Sequence, residues 1–409
     1  MADLRAEEAA TGTDDRSRPR GVLPALCATQ ITGWGIVYYA FPVLNARITA
    51  DTGWSTNATT AAFSAALLVS AVAGIPVGRI LDRHGPRTVM TAGSLLAVLA
   101  VTAIASAPDL TAFTGGWLLA GLAMSATFYQ PAFAAVTRWW GADRIRALTV
   151  VTLAGGLAST VFAPVTAALA EHFHWRTTYL ILAAILAAIT IPAHALALRA
   201  PWPPAPAAHA RQTADAAETA RSRPFLLLAT AFMLSGFAVY AVVVALVPLL
   251  AERGADPTTA AWALGLGGAG QTLGRTLYAA FAARTGVTTR TVTLIAAGGA
   301  TTAALGLVPG PMPLLIGLSV LAGMVRGNLT LLQATAVSDR WGTAHYGRLS
   351  ALLAAPATVA AALAPWAGAS LAGLLGGYPG LFVALSGVSA VAVLFALASG
   401  ASDRGRRSE

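Results

Sequence analysis

The chain contains no lysine and few charged residues of any kind. Its 409 residues include 26 basic side chains, all of them arginine, and charged residues make up only 11% of the sequence. Ordinary soluble domains contain about 25% charged residues, so a soluble globular protein is excluded. Because 56% of the residues are hydrophobic, the composition predicts an integral membrane protein.

Cysteine and extramembrane sequence are equally scarce. The single cysteine, Cys27, excludes an intrachain disulfide. No stretch outside the apolar runs exceeds about 25 residues, which leaves no room for a separate soluble catalytic domain. The sequence has neither an H-E-x-x-H metal motif nor a pair of aspartates within an apolar run. An enzyme is therefore disfavoured, and no cofactor or metal is expected.

Long apolar runs are abundant. Twelve runs of about 20 residues are each long enough to cross a bilayer core of about 30 Å. They lie near residues 22–46, 57–80, 89–107, 110–136, 148–170, 177–199, 225–250, 259–282, 291–308, 312–336, 349–374 and 379–399. The sequence thus predicts an all-α membrane protein with twelve transmembrane helices.

The arginines are distributed unevenly between the two sides of the predicted membrane. Twenty-one lie in the tails, in the loops after even-numbered spans and in the long central connection, whereas Arg47, Arg176 and Arg253 mark the other side. By the positive-inside rule, both termini are predicted to be cytoplasmic. We expect a multi-pass protein of the cytoplasmic (plasma) membrane. This distribution also accounts for the net charge of +9 without a nucleic-acid partner.

The chain contains an internal repeat. A shift of 201 residues places Gly53 on Gly254 and Pro164 on Pro365, and it also places "RWWGADRIRALT" (138–149) on "DRWGTAHYGRLS" (339–350). One constant offset through loops and helices is typical of a duplicated unit. Parallel repeats of this kind are found in carriers that work by alternating access.

The repeat predicts the domain organisation. Two six-helix halves are expected, at 22–199 and 225–399. They are flanked by a cytoplasmic tail at 1–21 and another at 400–409, and they are joined by a Pro- and Ala-rich cytoplasmic linker at 200–224.

The stretch "GRILDRHGPR" (78–87) resembles the loop between spans 2 and 3 of the major facilitator superfamily. The motif positions of that family are occupied here by Gly78, Asp82, Arg83, Gly85 and Arg87. The resemblance implies gating, in which Asp82 and the basic residues hold the halves together in one state and release them in the other. The alternative is that the arginines only set topology and that Gly85 only makes a turn. The second half has Ala283 in place of Asp82, so the latch is expected in one half only.

Within the superfamily, "YYAFPVLNARITADTGWS" (38–55), the Pro164 span and the Gln271 to Arg275 segment resemble the monocarboxylate-transporter and oxalate/formate-exchanger branch. That branch places an arginine in span 8, four residues after a polar or acidic position, to meet the substrate carboxylate. Arg275 and Gln271 occupy those two positions. The sequence departs from the branch at Val43, where animal monocarboxylate carriers have lysine, and in span 11, which lacks the lysine of an oxalate exchanger.

Two arginines, Arg275 and Arg326, lie inside predicted spans. All 17 acidic residues lie in tails, loops or span edges, so neither arginine has a carboxylate partner in the membrane core. A charged side chain within a span indicates function, and a guanidinium binds carboxylate or phosphate through two parallel hydrogen bonds. We predict that both bind an anionic substrate. The alternative is structural hydrogen bonding to backbone carbonyls, water or Gln271.

Polar and aromatic side chains recur along one face of span 1. Gln30, Trp34, Tyr38 and Asn45 are spaced by four and seven residues, so a helix places them on one face, which is predicted to line the pathway. Each could equally make an interhelical contact. The remaining predicted substrate-binding residues are Gln271, Tyr129, Gln130, Asn328 and Gln333.

The predicted function is secondary active or exchange transport of a small organic anion, a mono- or dicarboxylate, by rocking of the two halves around a midplane site. The expected partners are the small anionic substrate, the lipid bilayer, and either protons or a counter-anion. A proton-antiport exporter of drugs or metabolites is the alternative. An exporter of cations needs a buried acid, and no acid is predicted within a span.

Overall fold

The computed structural model describes residue 19 and residues 21–140, 143–202, 218–341 and 346–405. Within these residues, the regular secondary structure is entirely helical. Residues 1–18 and 406–409 of the predicted tails and residues 203–217 of the predicted linker lie outside the described ranges.

Six helical segments form the first half of the chain. Three of them are interrupted: α1, α4 and α5 each change geometry or bend near the middle of the predicted span. The segments are α1 (Val22–Gly33, the π-helical Trp34–Tyr39 and Ala40–Thr52), α2 (Thr56–His84), α3 (Pro86–Ser106), α4 (Leu110–Thr127 and Tyr129–Trp140), α5 (Arg144–Gly156 and Ala158–His172) and α6 (Trp175–Pro192 with the π-helical Ala193–Ala197).

Six helices form the second half, and each is continuous. They are α7 (Arg223–Glu252), α8 (Pro257–Arg284), α9 (Val287–Leu307), α10 (Met312–Trp341), α11 (Tyr346–Leu374) and α12 (Tyr378–Gly405). In the described ranges, nine of the twelve segments are long and apolar enough to cross a membrane by length and composition alone; α1, α8 and α9 are the other three. The prediction of an all-α membrane protein with twelve helices in two six-helix repeats is confirmed.

Short local signals set several helix ends. The Ser55 side chain accepts a hydrogen bond from the Ala58 amide at the start of α2, and Asp256 does the same for the first turn of α8. Such caps satisfy amides that have no partner inside the helix. Gly53 and Gly254, which the repeat superimposes, both have positive φ, 73° and 85°. Each half therefore ends its first helix with the same left-handed turn.

Glycines allow α8 and α10 to pack with their backbones in contact. A Cβ added to Gly274 would lie 2.0 Å from the Met324 carbonyl oxygen, and one added to Gly327 would lie 2.1 Å from the Gln271 carbonyl oxygen. Small residues at helix interfaces permit this close approach in membranes. The packing places Gln271 and Arg275 of α8 beside Arg326 of α10.

The two halves meet through α2 with α11 and α5 with α8. The Trp366 amide donates to Ser64 Oγ at 3.0 Å, and Thr160 Oγ1 donates to the Gly265 carbonyl at 2.8 Å. Ser370 Oγ also donates to Asn57 Oδ1 at 3.0 Å, near the start of α2. These bonds hold the halves together toward the end of the bundle opposite the arginine-rich loop between α2 and α3.

Candidate substrate cavity between the two halves

A cavity of about 290 Å³ lies between the halves, and we refer to it as the central cavity. Its lining comes from α1, α2, α4 and α5 of the first half and from α7, α8, α10 and α11 of the second. These are the helix pairs that the 201-residue repeat superimposes. The polar and aromatic lining residues are Trp34, Tyr38, Tyr39, Ser70, Phe128, Tyr129, Gln130, Tyr240, Gln271, Arg275, Arg326, Thr330, Gln333 and Thr358.

The structure brings together eight of the eleven residues predicted to bind substrate. The eight that line the central cavity are Trp34, Tyr38, Tyr129, Gln130, Gln271, Arg275, Arg326 and Gln333. They come from four helices, α1, α4, α8 and α10, so the fold brings together residues that are far apart in the sequence.

The other three predicted residues lie outside this lining. Gln30 accepts a hydrogen bond from Trp34 Nε1 at 3.2 Å and donates to the Thr127 carbonyl at 2.8 Å, so it connects the Trp34 side chain to the backbone of α4. Asn328 donates to the Met324 carbonyl one turn earlier on its own helix, at 2.9 Å. Asn45 lines a second cavity of about 200 Å³ between α1, α2, α7 and α11.

The π-helical segment of α1 explains part of this difference. The prediction assumed a regular α-helix from Gln30 to Asn45, but Trp34–Tyr39 has the wider π geometry, which rotates the residues that follow relative to those before. Tyr39, which was not predicted, lines the central cavity together with Tyr38. Asn45 lies seven residues beyond Tyr38, about 10 Å along a helix, and so reaches the second cavity instead.

Arg326 lines the central cavity and also a smaller cavity between α7, α9, α10 and α12. Its Nε donates to Gln271 Oε1 at 2.9 Å. Its Nη2 is buried and has no hydrogen-bond partner in the described ranges. None of the described residues that line the cavity is acidic. The site therefore contains a cation with an unused donor.

Arg275 has a different environment. Its Nη1 donates to the Thr152 carbonyl of α5, and its Nε lies 3.4 Å from the Gly327 carbonyl of α10. The residue is only 7% exposed. Arg275 thus makes the backbone hydrogen bonds that were the alternative to substrate binding, and its bond to Thr152 links the two halves.

An aromatic wall covers the side of the cavity formed by the first half. The Trp34 ring stacks on Phe128, with centroids 4.1 Å apart and planes 24° apart. Tyr129 and Tyr38 lie 5.2 Å and 5.4 Å from the same ring. Tyr240 extends the aromatic lining from the second half. The sequence carried a signal for Tyr39 and Tyr240, since the repeat superimposes them, but no pattern indicated Phe128.

A family model now explains this arrangement. The model of the Major Facilitator Superfamily matches the chain twice, over residues 26–253 and over residues 228–408. This chain belongs to the Major Facilitator Superfamily. It is therefore a multi-pass membrane transporter.

Known structures agree with the superfamily fold. In total, 289 chains of solved structures match. One is the crystal structure of a bacterial homolog of the human lysosomal transporter Spinster, in an inward-facing and occupied conformation. It has a TM-score of 0.75 and 14% sequence identity, and the match covers 94% of this chain and 97% of that chain. At this identity the likeness shows the fold alone. No curated protein matches the chain.

The superfamily loop motif makes its contacts within the first half in this conformation. Asp82 Oδ1 accepts a hydrogen bond from Arg138 at the end of α4. The Arg138 guanidinium lies 4.4 Å from the centre of the Trp202 ring, and Trp202 Nε1 donates to the Asp82 carbonyl at 3.1 Å. Asp82 therefore joins α2, α4 and the chain after α6. The latch between halves, which the family resemblance implied for Asp82, stays a prediction.

The other predicted gating residues have distinct surroundings. Gly85 has φ of +78°, and a Cβ there would lie 3.2 Å from Trp202, so the turn favours glycine. Arg87 Nε donates to the Ala195 carbonyl at 3.0 Å. The Arg83 side chain is exposed, and a Cβ on Gly78 would meet open space.

The second half has an ion pair of its own at the corresponding end. Arg290 at the start of α9 pairs with Asp339 near the end of α10. The repeat superimposes Asp339 on Arg138 but Arg290 on Val89, so the two ion pairs share only one equivalent position. Sequence comparison at position 283 alone did not indicate this pair.

Proposed function

We propose that this chain is a secondary active or exchange transporter that carries a small organic anion, a carboxylate, by alternating access. The observation that carries the proposal is Arg326, whose guanidinium lines the central cavity with an unpartnered Nη2. Membership of the superfamily indicates that the chain is a transporter. The positive charge in the cavity favours a negatively charged substrate. The resemblance to the monocarboxylate and oxalate/formate branch supports the same substrate class.

The energetic argument follows from the cost of the buried charge. An arginine in the middle of a span costs about 2.5–3.5 kcal/mol on insertion scales. A carboxylate offsets this cost because hydrogen bonds between a guanidinium and a carboxylate are roughly twice as strong as neutral ones. Gln271 accepts a hydrogen bond from Arg326 Nε at 2.9 Å, so one edge of the guanidinium is held and Nη2 is left for the substrate carboxylate.

The lining also bears on coupling. Among the described residues of the central cavity there is no aspartate, glutamate or histidine that could carry a proton through the site. Exchange against a counter-anion, or facilitated anion transport, therefore requires fewer assumptions than proton antiport. The arginine distribution supports an orientation with both termini in the cytoplasm.

The experiment that tests the proposal is uptake of labelled mono- and dicarboxylates into proteoliposomes. We expect saturable uptake by the wild-type protein and at least a tenfold loss of kcat/KM in Arg326→Gln, because one charge-assisted pair is worth about 1.5–3 kcal/mol. Arg326→Lys keeps the charge but lacks the planar fork, so we expect an intermediate loss.

The matched control is Arg284→Gln. Arg284 lies at the exposed end of α8, so this variant makes the same charge change outside the cavity and should transport normally. Folding of each variant is checked by gel filtration and thermal unfolding. The proposal is refuted if the wild-type protein transports no carboxylate, or if folded Arg326→Gln transports it as well as the wild type does. Either result would favour the exporter alternative.

A further inference from the structure

We infer that the transported anion has a single carboxylate on a flat, apolar body, as in an aromatic monocarboxylate. The inference rests on the proposed anion transport and goes beyond it in two ways. It favours a monocarboxylate over a dicarboxylate, and it favours a carboxylate that carries a ring over a small one without a ring. Three features of the central cavity support it: the number of available cationic donors, the aromatic wall and an unpartnered tyrosine hydroxyl.

The first feature is the count of cationic groups. Only Arg275 and Arg326 are basic among the described lining residues. Arg275 directs Nη1 to the Thr152 carbonyl and Nε toward the Gly327 carbonyl, so two of its three nitrogens already serve the protein. Arg326 retains the buried, unpartnered Nη2. One carboxylate is matched by this group, whereas a second would be buried without a partner, at high cost.

The second feature is the surface that faces the rest of the ligand. Trp34 is stacked on Phe128, and its polar edge is occupied because Nε1 donates to Gln30. The tryptophan therefore offers an apolar ring surface to the cavity. Aromatic ligands prefer stacked or edge-to-face contact with such surfaces. Small side chains of α11, Ala357 and Ala361, line the cavity on the second half and leave width for a ring.

The third feature is the Tyr38 hydroxyl. Tyr38 is 2% exposed, and its Oη has no hydrogen-bond partner in the described protein. Tyr38 lines the same cavity as Arg326. A carboxylate between them would accept hydrogen bonds from Tyr38 of α1 and from Arg326 of α10. The substrate would thus bridge the two halves.

The test compares labelled benzoate, lactate and succinate as substrates of the wild-type protein in proteoliposomes. We expect kcat/KM for benzoate to exceed the values for lactate and succinate at least tenfold. This comparison needs no variant, so it does not depend on whether a mutant folds. If benzoate has no advantage while another carboxylate is carried in an Arg326-dependent manner, the inference is wrong and the proposed function stands. If no carboxylate is carried, both are wrong.

A pair of tyrosine variants tests the hydroxyl separately. Tyr38→Phe removes one donor to the carboxylate and should raise KM for benzoate about tenfold with kcat little changed. Tyr179→Phe is the matched control, because Tyr179 is also buried with an unpartnered hydroxyl but lies in α6, outside the cavity lining. The same KM in wild type, Tyr38→Phe and Tyr179→Phe would overturn the assignment of Tyr38 to the site.

Discussion

Two arginines that look alike in the sequence have different surroundings in the structure. Both are basic residues inside apolar spans without an acid nearby. In the structure, Arg275 is bound by backbone carbonyls of α5 and α10, whereas Arg326 is bound by Gln271 and has a buried Nη2 without a hydrogen-bond partner among the described residues. A sequence pattern identifies a buried charge, but only the positions of neighbouring carbonyls decide which charge is available to a ligand.

Gln271 provides a residue-scale prediction. Its Oε1 accepts from Arg326 Nε at 2.9 Å. In Gln271→Glu, a carboxylate within the protein would pair with Arg326 and compete with the substrate. We expect KM for the transported carboxylate to rise at least tenfold. Gln271→Asn, which is shorter but neutral, should have the smaller effect. Equal KM values for Gln271→Glu and the wild type would show that this contact does not control the site.

Some residues that were predicted to bind substrate lie outside the central cavity, and the reasons are physical. The spacing of Gln30, Trp34, Tyr38 and Asn45 predicted one polar face of α1, and two of the four, Trp34 and Tyr38, line the central cavity. The spacing could not reveal the π geometry of Trp34–Tyr39, because no residue type specifies a π turn. Asn328 was predicted from its polarity alone, yet its amide is used by the carbonyl of Met324.

At the scale of helices, the contact between α8 and α10 positions the cationic corner of the cavity. Glycines on both helices approach the opposite backbone: a Cβ on Gly323 would lie 1.9 Å from the Gly267 carbonyl oxygen, and one on Gly327 would lie 2.1 Å from that of Gln271. The length and number of the helices were readable from hydropathy. This close packing was not, since the chain has 40 glycines and their partners are unknown without the fold.

The helix contact predicts a contrast between two glycine substitutions in α10. Gly327→Ala must push α8 and α10 apart, so we expect a loss of stability of about 1–3 kcal/mol and weaker carboxylate binding. Gly317→Ala should be neutral, because a Cβ there meets nothing within 4 Å. Thermal unfolding of the purified variants, with and without carboxylate, measures both effects. Equal melting temperatures for the two variants would contradict the role of the contact.

At the scale of the whole molecule, the repeat explains why the site lies between the halves. Equivalent helices of each half face one another across the central cavity, and bonds such as Thr160 to Gly265, Ser64 to Trp366 and Arg275 to Thr152 join the halves. The 201-residue offset predicted this architecture from sequence. The repeat could not indicate how far the halves are separated, because that depends on contacts between residues that differ in the two copies.

The central claim is that a carboxylate occupies the central cavity through Arg326. The most direct test is thiol labelling of Ser70→Cys, a lining position, in a Cys27→Ser background that leaves no other cysteine. Labelling of the purified protein reports whether a carboxylate occupies the cavity, whatever the coupling ion and the direction of transport. We expect a transported carboxylate to slow the labelling at least threefold, and we expect Arg326→Gln to abolish this protection. Labelling that no carboxylate slows, or protection that persists in Arg326→Gln, would contradict the account.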